Sequence, residues 1–237
     1  MSASQYVLYD LPSRPPCSTW TPNPWKTRLL FNFKGIDYRT EWLEYPDIKP
    51  ELEKHLPPNM SGFAYTIPAV ICPDGKYLMD SGKIAEYIET EHPQPSLHMD
   101  SDYLQQVQNL WGRYMGAIKP IFLNQVPKRI LNDASLDYWY KTRHEFCGMP
   151  VEELEKTQGG EKAWNQAEPV LREVTALLKQ NEGPYLLGST VSYADLVWAS
   201  VLLFSERIGP DFFEEALKRT GDRKAHLDLL DAVRRWS

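Results

Sequence analysis

The chain has 237 residues, 42% of them hydrophobic and 24% charged, with a net charge of −6. That is apolar material for a full core, in one large domain or two small ones, and it excludes wholesale disorder. The charge is spread evenly, with 9 basic and 12 acidic side chains in residues 1–92 and a similar balance after them, so no basic face marks a nucleic-acid partner and no charged tail marks a membrane surface.

Three cysteines, Cys17, Cys72 and Cys147, form no CxxC pair and no Cys/His cluster with zinc spacing. The expectation is a reduced, cytoplasmic protein without disulfides or a bound metal. The leading Met1–Tyr6 has neither a positive nor an apolar region of a signal peptide. No apolar run approaches the roughly 20 residues that span a bilayer. Aromatics are 12% of the chain, which fits an aromatic-lined pocket as well as ordinary core.

Tyr6–Tyr9 reads as a short apolar strand, followed by a polar, Pro-rich loop from Asp10 to Pro24. Trp25–Lys34 has helical spacing and stops at Gly35. Residues 37–44 alternate as a strand, and 46–55 form a short charged helix. Ile67–Cys72 is a buried strand, and Tyr77–Met79 pairs back on it across the turn at Pro73–Lys76. Ser81 opens an amphipathic helix to Glu91. The order β-α-β-α-β-β-α is that of a thioredoxin-like domain.

After the Pro-broken segment His92–Ser96 every strong signal is helical. Helices are expected over 101–126, weakened near Pro120, then over 136–147, 160–181, 192–207, 211–218 and 223–236. The fourth of these is nearly all apolar and so central. The fold class is therefore α/β plus all-α, with domains at 1–92 and 101–237 and a linker at 93–100.

Four motifs carry chemistry. At Trp20–Arg28 the Thr21 hydroxyl stands at a helix N-terminus, where N–H groups and the dipole favour a thiolate. Thr21 as a plain helix cap is the other reading. Thr66-Ile67-Pro68 opens a buried strand. A cis turn at Pro68 leaves the Ile67 backbone free for a peptide-like ligand. Asp80-Ser81 at another helix start suits an amino-acid head group, Ser81 taking a carboxylate and Asp80 an ammonium, or else caps the helix. Ser192 and Asp195 form a capping box, and Asp195 is a stability residue.

In this order, and with Gly188-Ser-Thr-Val ahead of the capping box, the pieces resemble the cytosolic glutathione transferase family over essentially the whole chain. Ile67-Pro68 and Asp80-Ser81 match the family's glutathione site, whose commoner acid-hydroxyl pair is Glu-Ser. Lys26-Thr27-Arg28 is similar to the basic segment that follows an active-site cysteine by five residues in some members. That register puts Thr21 in the cysteine position and Cys17 four residues too early. Thr21–Lys26 and Arg143–Leu154 look like the fungal etherase-related branch, akin to bacterial lignin β-etherases.

The resemblance implies glutathione as co-substrate and no metal. It implies catalysis through Thr21 or Asn23, and glutathione bound by Ile67, Pro68, Asp80, Ser81 and either Lys54 or His55. A hydrophobic electrophile or aryl ether would lie against Trp20, Trp111, Tyr114 and Tyr138 in a homodimer. Two other functions fit: a non-catalytic binder of hydrophobic molecules that keeps the glutathione site, and a thiol–disulfide, deglutathionylating enzyme using Cys17.

Overall fold

The computed structural model describes residues 5–237. Of the leading segment read as lacking a signal peptide, residues 1–4 lie outside the described residues. Four strands form one mixed sheet. Strand β1 (Tyr6–Asp10) is buried along its length. It pairs in parallel with β2 (Tyr38–Trp42), Tyr6 opposite Tyr38, and antiparallel with β3 (Ala69–Ile71). Strand β4 (Tyr77–Met79) pairs antiparallel with β3, which gives the order β2-β1-β3-β4. The order of elements is the expected one, with α1 (Pro22–Lys34), α2 (Tyr45–Leu52) and α3 (Ser81–Glu91) between and after the strands.

Several boundaries differ from expectation for physical reasons. Helix α1 starts at Pro22, not Trp25, because proline suits the first helical position. Its end is as expected, with Gly35 at φ 67°. Asp10 belongs to β1 and not to the loop. Strand β3 is shorter than Ile67–Cys72, since Pro68 has no N–H for the ladder.

The second half is helical: α4 (Asp102–Arg129), α5 (Asp133–Cys147), α6 (Val151–Gln158), α7 (Gly160–Leu178), α8 (Tyr193–Ile208), α9 (Pro210–Arg219), α10 (Arg223–Val233) and a closing 3-10 turn at Arg234–Trp236. Helix α6 is absent from the sequence expectation. It is two turns long and half charged, with only Val151 and Leu154 turned inward. Helix α4 runs unbroken through Pro120 and Pro127, against the expected weakening. A proline orphans the carbonyl four residues before it. For Pro127 that carbonyl is Leu123, and it accepts the Trp139 indole N–H at 2.9 Å. For Pro120 it belongs to Gly116, which is exposed.

Helix α8 is buried almost throughout and touches α1, α4, α9 and α10. Its N-terminus carries the expected box. The Asp195 carboxylate accepts the Ser192 N–H and O–H and the Leu186 N–H, each at 2.7 Å. Beneath α8 lies a second buried polar group. His226 accepts the Trp198 indole N–H on Nδ1 at 3.1 Å, so its proton sits on Nε2, 2.9 Å from Thr175 Oγ1.

Burial holds the His226 pKa down at about 4. The unfolded imidazole takes up a proton below roughly 6.5, whereas the folded one waits until about 4. The unfolded state therefore binds more protons in that window, and stability falls as pH falls through it. The expected loss is about 3 kcal/mol between pH 6.5 and 4, at about 1.36 kcal/mol per pH unit. Urea unfolding across this range checks it; an equal acid loss in His226→Gln removes the assignment.

Candidate active site

Two cavities meet at the start of α1. The larger, about 850 Å³, lies over the N-termini of α1 and α3 and is lined in part by Asn23, Ile67, Pro68, Asp80 and Ser81. The smaller, about 290 Å³, lies between the sheet half and the helical half, with Trp20, Thr21, Tyr45, Trp111, Trp139 and Arg143 in its wall. Asn23, Phe63, Thr66 and Ile67 line both, so the cavities join there.

Two prolines shape the α1 N-terminus. Pro22 and Pro24 carry no N–H, and the Trp25 N–H is turned back onto the Thr21 carbonyl at 3.3 Å. Of the first four residues only Asn23 keeps a backbone N–H for a ligand. The expected sharing of the work among helix N–H groups is thus reduced, and more falls to side chains. Thr21 occupies the N-cap position, yet its hydroxyl makes no capping hydrogen bond. The hydroxyl remains unspent in the wall of the smaller cavity.

Asn23 is held from behind. Lys26 Nζ donates to Asn23 Oδ1 at 3.0 Å and stands 3.7 Å over the Trp111 ring. With Oδ1 engaged, the amide N–H groups of Asn23 have no hydrogen-bond acceptor among the described residues. Burial pushes the Lys26 amine down to about 8, and the charge of Asp80 works against that fall.

At α3, Asp80 adopts φ 87° and caps the helix through Oδ1, which accepts from the Gly82 N–H at 2.8 Å and the Lys83 N–H at 3.1 Å. The capping reading holds, and Oδ2 remains for a ligand. The Ser81 carbonyl accepts the Tyr193 hydroxyl at 3.1 Å, which ties this turn to the start of α8. The Ile67–Pro68 bond is cis.

The smaller cavity is aromatic. Tyr45 stacks on Tyr138 with centroids 6.0 Å apart and meets Trp139 edge-on at 5.4 Å. The Tyr45 N–H donates to Ser135 Oγ at 3.0 Å, and Glu44 accepts from Asn132 at 2.7 Å and also from Ser135. These bonds fix α2 against α5 and so set the width of the cavity. Phe63 and Phe146, one from each half, approach to 6.1 Å and are both well exposed, which places them at its mouth.

The sequence-predicted residues divide as follows. Asn23, Ile67, Pro68, Asp80 and Ser81 come together in the larger cavity, and Trp20, Thr21, Trp111 and Tyr138 in the smaller. Lys54 lies outside both, turned to Glu51 at 2.7 Å. His55 stacks on Tyr77 at 4.0 Å rather than lining a cavity. Tyr114 is fully buried in the helical core against Trp198, not in the wall of the smaller cavity. At a helix position facing α8, burial there follows from packing. Cys17 is exposed and lines neither cavity.

Sequence reasoning passed over three residues of this region. Asp10 looked like loop but anchors it. Lys26 served only to set a register, and Arg143 stood in a segment quoted for resemblance. An Arg within the aromatic stretch Trp139–Phe146 was the available signal for the last.

Among the described residues no group of three or more His, Cys, Asp or Glu side chains is placed to hold a metal ion. Among the same residues no helix is long and apolar enough to cross a membrane.

The glutathione S-transferase N-terminal domain family matches residues 20–91, and the glutathione S-transferase C-terminal domain family matches residues 106–227. A glutathione S-transferase-like protein of Aspergillus flavus, ustS, is 31% identical over 218 residues, covering 84% of this chain and 79% of its own. Glutathione transferase GSTFuA3 of Phanerochaete chrysosporium superposes with a TM-score of 0.86 at 28% identity, covering 100% of this chain and 98% of its own. A glutathione S-transferase of Ceriporiopsis subvermispora, CsGST63524, solved in complex with glutathione, gives 0.85 at 30% identity, with 98% of each chain covered. The chain belongs to the glutathione S-transferase family.

Proposed function

We propose that the larger cavity seats glutathione and the smaller an aromatic electrophile, and that the thiolate attacks at their junction. The observation that carries this is the shared wall at Asn23 and Ile67, beside an α1 N-terminus. Ser81, through its hydroxyl and its backbone N–H, takes the γ-glutamyl carboxylate, the free oxygen of Asp80 takes its ammonium, and the Ile67 backbone pairs with the cysteinyl peptide. Asn23 and Thr21 donate to the sulfur. A carbon–sulfur bond forms, the leaving group departs with the electron pair of its bond, and the thiol proton goes to solvent.

The enzyme contributes proximity and a lowered thiol pKa. When the leaving group is an aryloxide, the same attack cleaves an aryl ether. The proposal includes domains at 1–92 and 101–237 across the linker at 93–100, a homodimer and a cytoplasmic location.

Turnover of glutathione with 1-chloro-2,4-dinitrobenzene tests the reading. Tight glutathione binding without turnover of this or any aryl ether would leave a non-catalytic binder instead. Thiol transfer lost in Cys17→Ser would make the enzyme a deglutathionylating one, though the exposure of Cys17 away from both cavities speaks against it. Ser81→Ala is expected to weaken glutathione binding by about 1–3 kcal/mol, the cost of leaving a charged partner unpaired. Unchanged affinity by calorimetry would remove Ser81 from the site.

A further inference from the structure

The smaller cavity carries positive charge and, among the described residues, no carboxylate in its wall. Arg143, on α5, is only 9% exposed. Its guanidinium lies 3.9 Å over Trp139, 4.7 Å over Tyr45 and 5.2 Å over Phe63. Among the described residues it forms no ion pair, and its side-chain acceptors are neutral hydroxyls, Thr142 Oγ1 at 2.8 Å and that of Tyr45. Lys119, on α4, lines the same cavity, stands 5.3 Å over Phe146, and likewise has no ion-pair partner among the described residues.

Rings attract a guanidinium, but such contacts offset only part of the cost of taking the charge out of water. Buried arginines ordinarily meet an anion. The rings hold the planar fork in one orientation, as a bidentate carboxylate site requires. The chain is acidic overall, at −6, so two unpaired cations in one small apolar cavity are a local feature and not an overflow of basic residues.

We propose that the acceptor cavity selects aromatic electrophiles bearing a carboxylate, which Arg143 receives as a fork and Lys119 as a point charge, with the aromatic ring against Trp139 and Tyr45. This deepens the transferase reading and rests on it. The probes are 4-chloro-3-nitrobenzoate and its uncharged amide, 4-chloro-3-nitrobenzamide. In each the glutathione thiolate forms a bond to the carbon bearing chlorine, chloride leaves with the bonding pair, and the thiol proton passes to solvent.

After correction for the uncatalysed rates, wild-type kcat/KM is expected to favour the benzoate by about tenfold. In Arg143→Gln the benzoate-to-benzamide ratio falls about 30-fold, as expected for the loss of a charge-assisted pair. In Arg143→Lys it falls less, because charge is kept and the fork is lost. In Lys119→Gln it falls about threefold, in keeping with a more exposed charge.

A wild-type ratio no higher than the uncatalysed one, or a ratio unmoved by Arg143→Gln, overturns the carboxylate site while leaving the transferase reading intact. If Arg143→Gln does not fold, Lys119→Gln decides in its place, and an unmoved ratio counts against the site. If neither probe turns over, 1-chloro-2,4-dinitrobenzene still decides the transferase reading, and calorimetry of 3-nitrobenzoate against 3-nitrobenzamide on the glutathione-loaded wild type decides the anion site. Equal affinities there overturn it.

Discussion

Asp10→Ala is expected to destabilise the protein by about 3–5 kcal/mol, the range for breaking a buried ion pair on one side. Asp10 is fully buried at the end of β1. Its carboxylate accepts from Arg28 Nε at 2.7 Å, from Thr19 Oγ1 at 2.6 Å and from the Leu11 N–H at 2.7 Å. Arg28 continues to Thr40 on β2 at 2.8 Å. One carboxylate therefore clamps strand β1, helix α1, strand β2 and the loop that delivers Trp20 and Thr21.

Removing it leaves a largely buried guanidinium, 13% exposed, without its carboxylate and frees Thr19, two residues before the N-cap. Urea unfolding should show the loss. Arg28→Leu in the same background should recover part of it, since no unpaired charge is then left. A cost below about 1 kcal/mol for Asp10→Ala would mean that the clamp contributes little to the fold.

The legible parts of this chain are those whose signal is local. The period of 3.6 in Trp164–Leu178, the apolar run of α8 and the Ser192–Asp195 box each sit within one stretch of sequence, and each became the expected element. Gly35 ended α1 because only its own φ was at stake. Where a second segment supplies the missing partner, the sequence misleads. Pro127 reads as a breaker until the Trp139 indole appears from α5 to satisfy Leu123. Helix α6 is too short and too charged to announce itself, and it stands because Val151 and Leu154 meet the core.

The site divides in the same way. Ile67-Pro68 and Asp80-Ser81 are contiguous motifs, and the fold brings them to one cavity. The cage around Arg143 draws Tyr45, Phe63 and Trp139 from three separate segments, so no window of sequence contains it. Tyr114 and Trp111 share a helical stripe, and only the rotation of α4 decides that one faces the core and the other the cavity.

Asn23→Ala is expected to raise the pKa read from the pH profile of kcat/KM by about one to two, and to lower the rate at neutral pH about 10- to 100-fold. A charge-assisted hydrogen bond to the sulfur, worth about 1.5–3 kcal/mol, is the quantity removed. Asn23 is favoured over Thr21 for the larger share because it lines both cavities, whereas Thr21 lines only the smaller. The prolines at 22 and 24 withhold two N–H groups that would otherwise dilute the effect.

Thr21→Val keeps the shape and removes an unspent hydroxyl. A shift in the same direction, under about tenfold in rate, is expected for it. Thr21→Ser should keep or raise the rate. Lys26 acts through Asn23 as a positioning residue. Lys26→Met leaves Oδ1 without its donor and the amide free to turn, so the profile moves as in Asn23→Ala but by less, with glutathione affinity nearly unchanged. The rate lost in each variant should return at alkaline pH, where the thiol ionises unaided. If Thr21→Val shifted the profile while Asn23→Ala left it in place, the hydroxyl at the N-cap, and not the amide at the junction, would be the group that holds the thiolate.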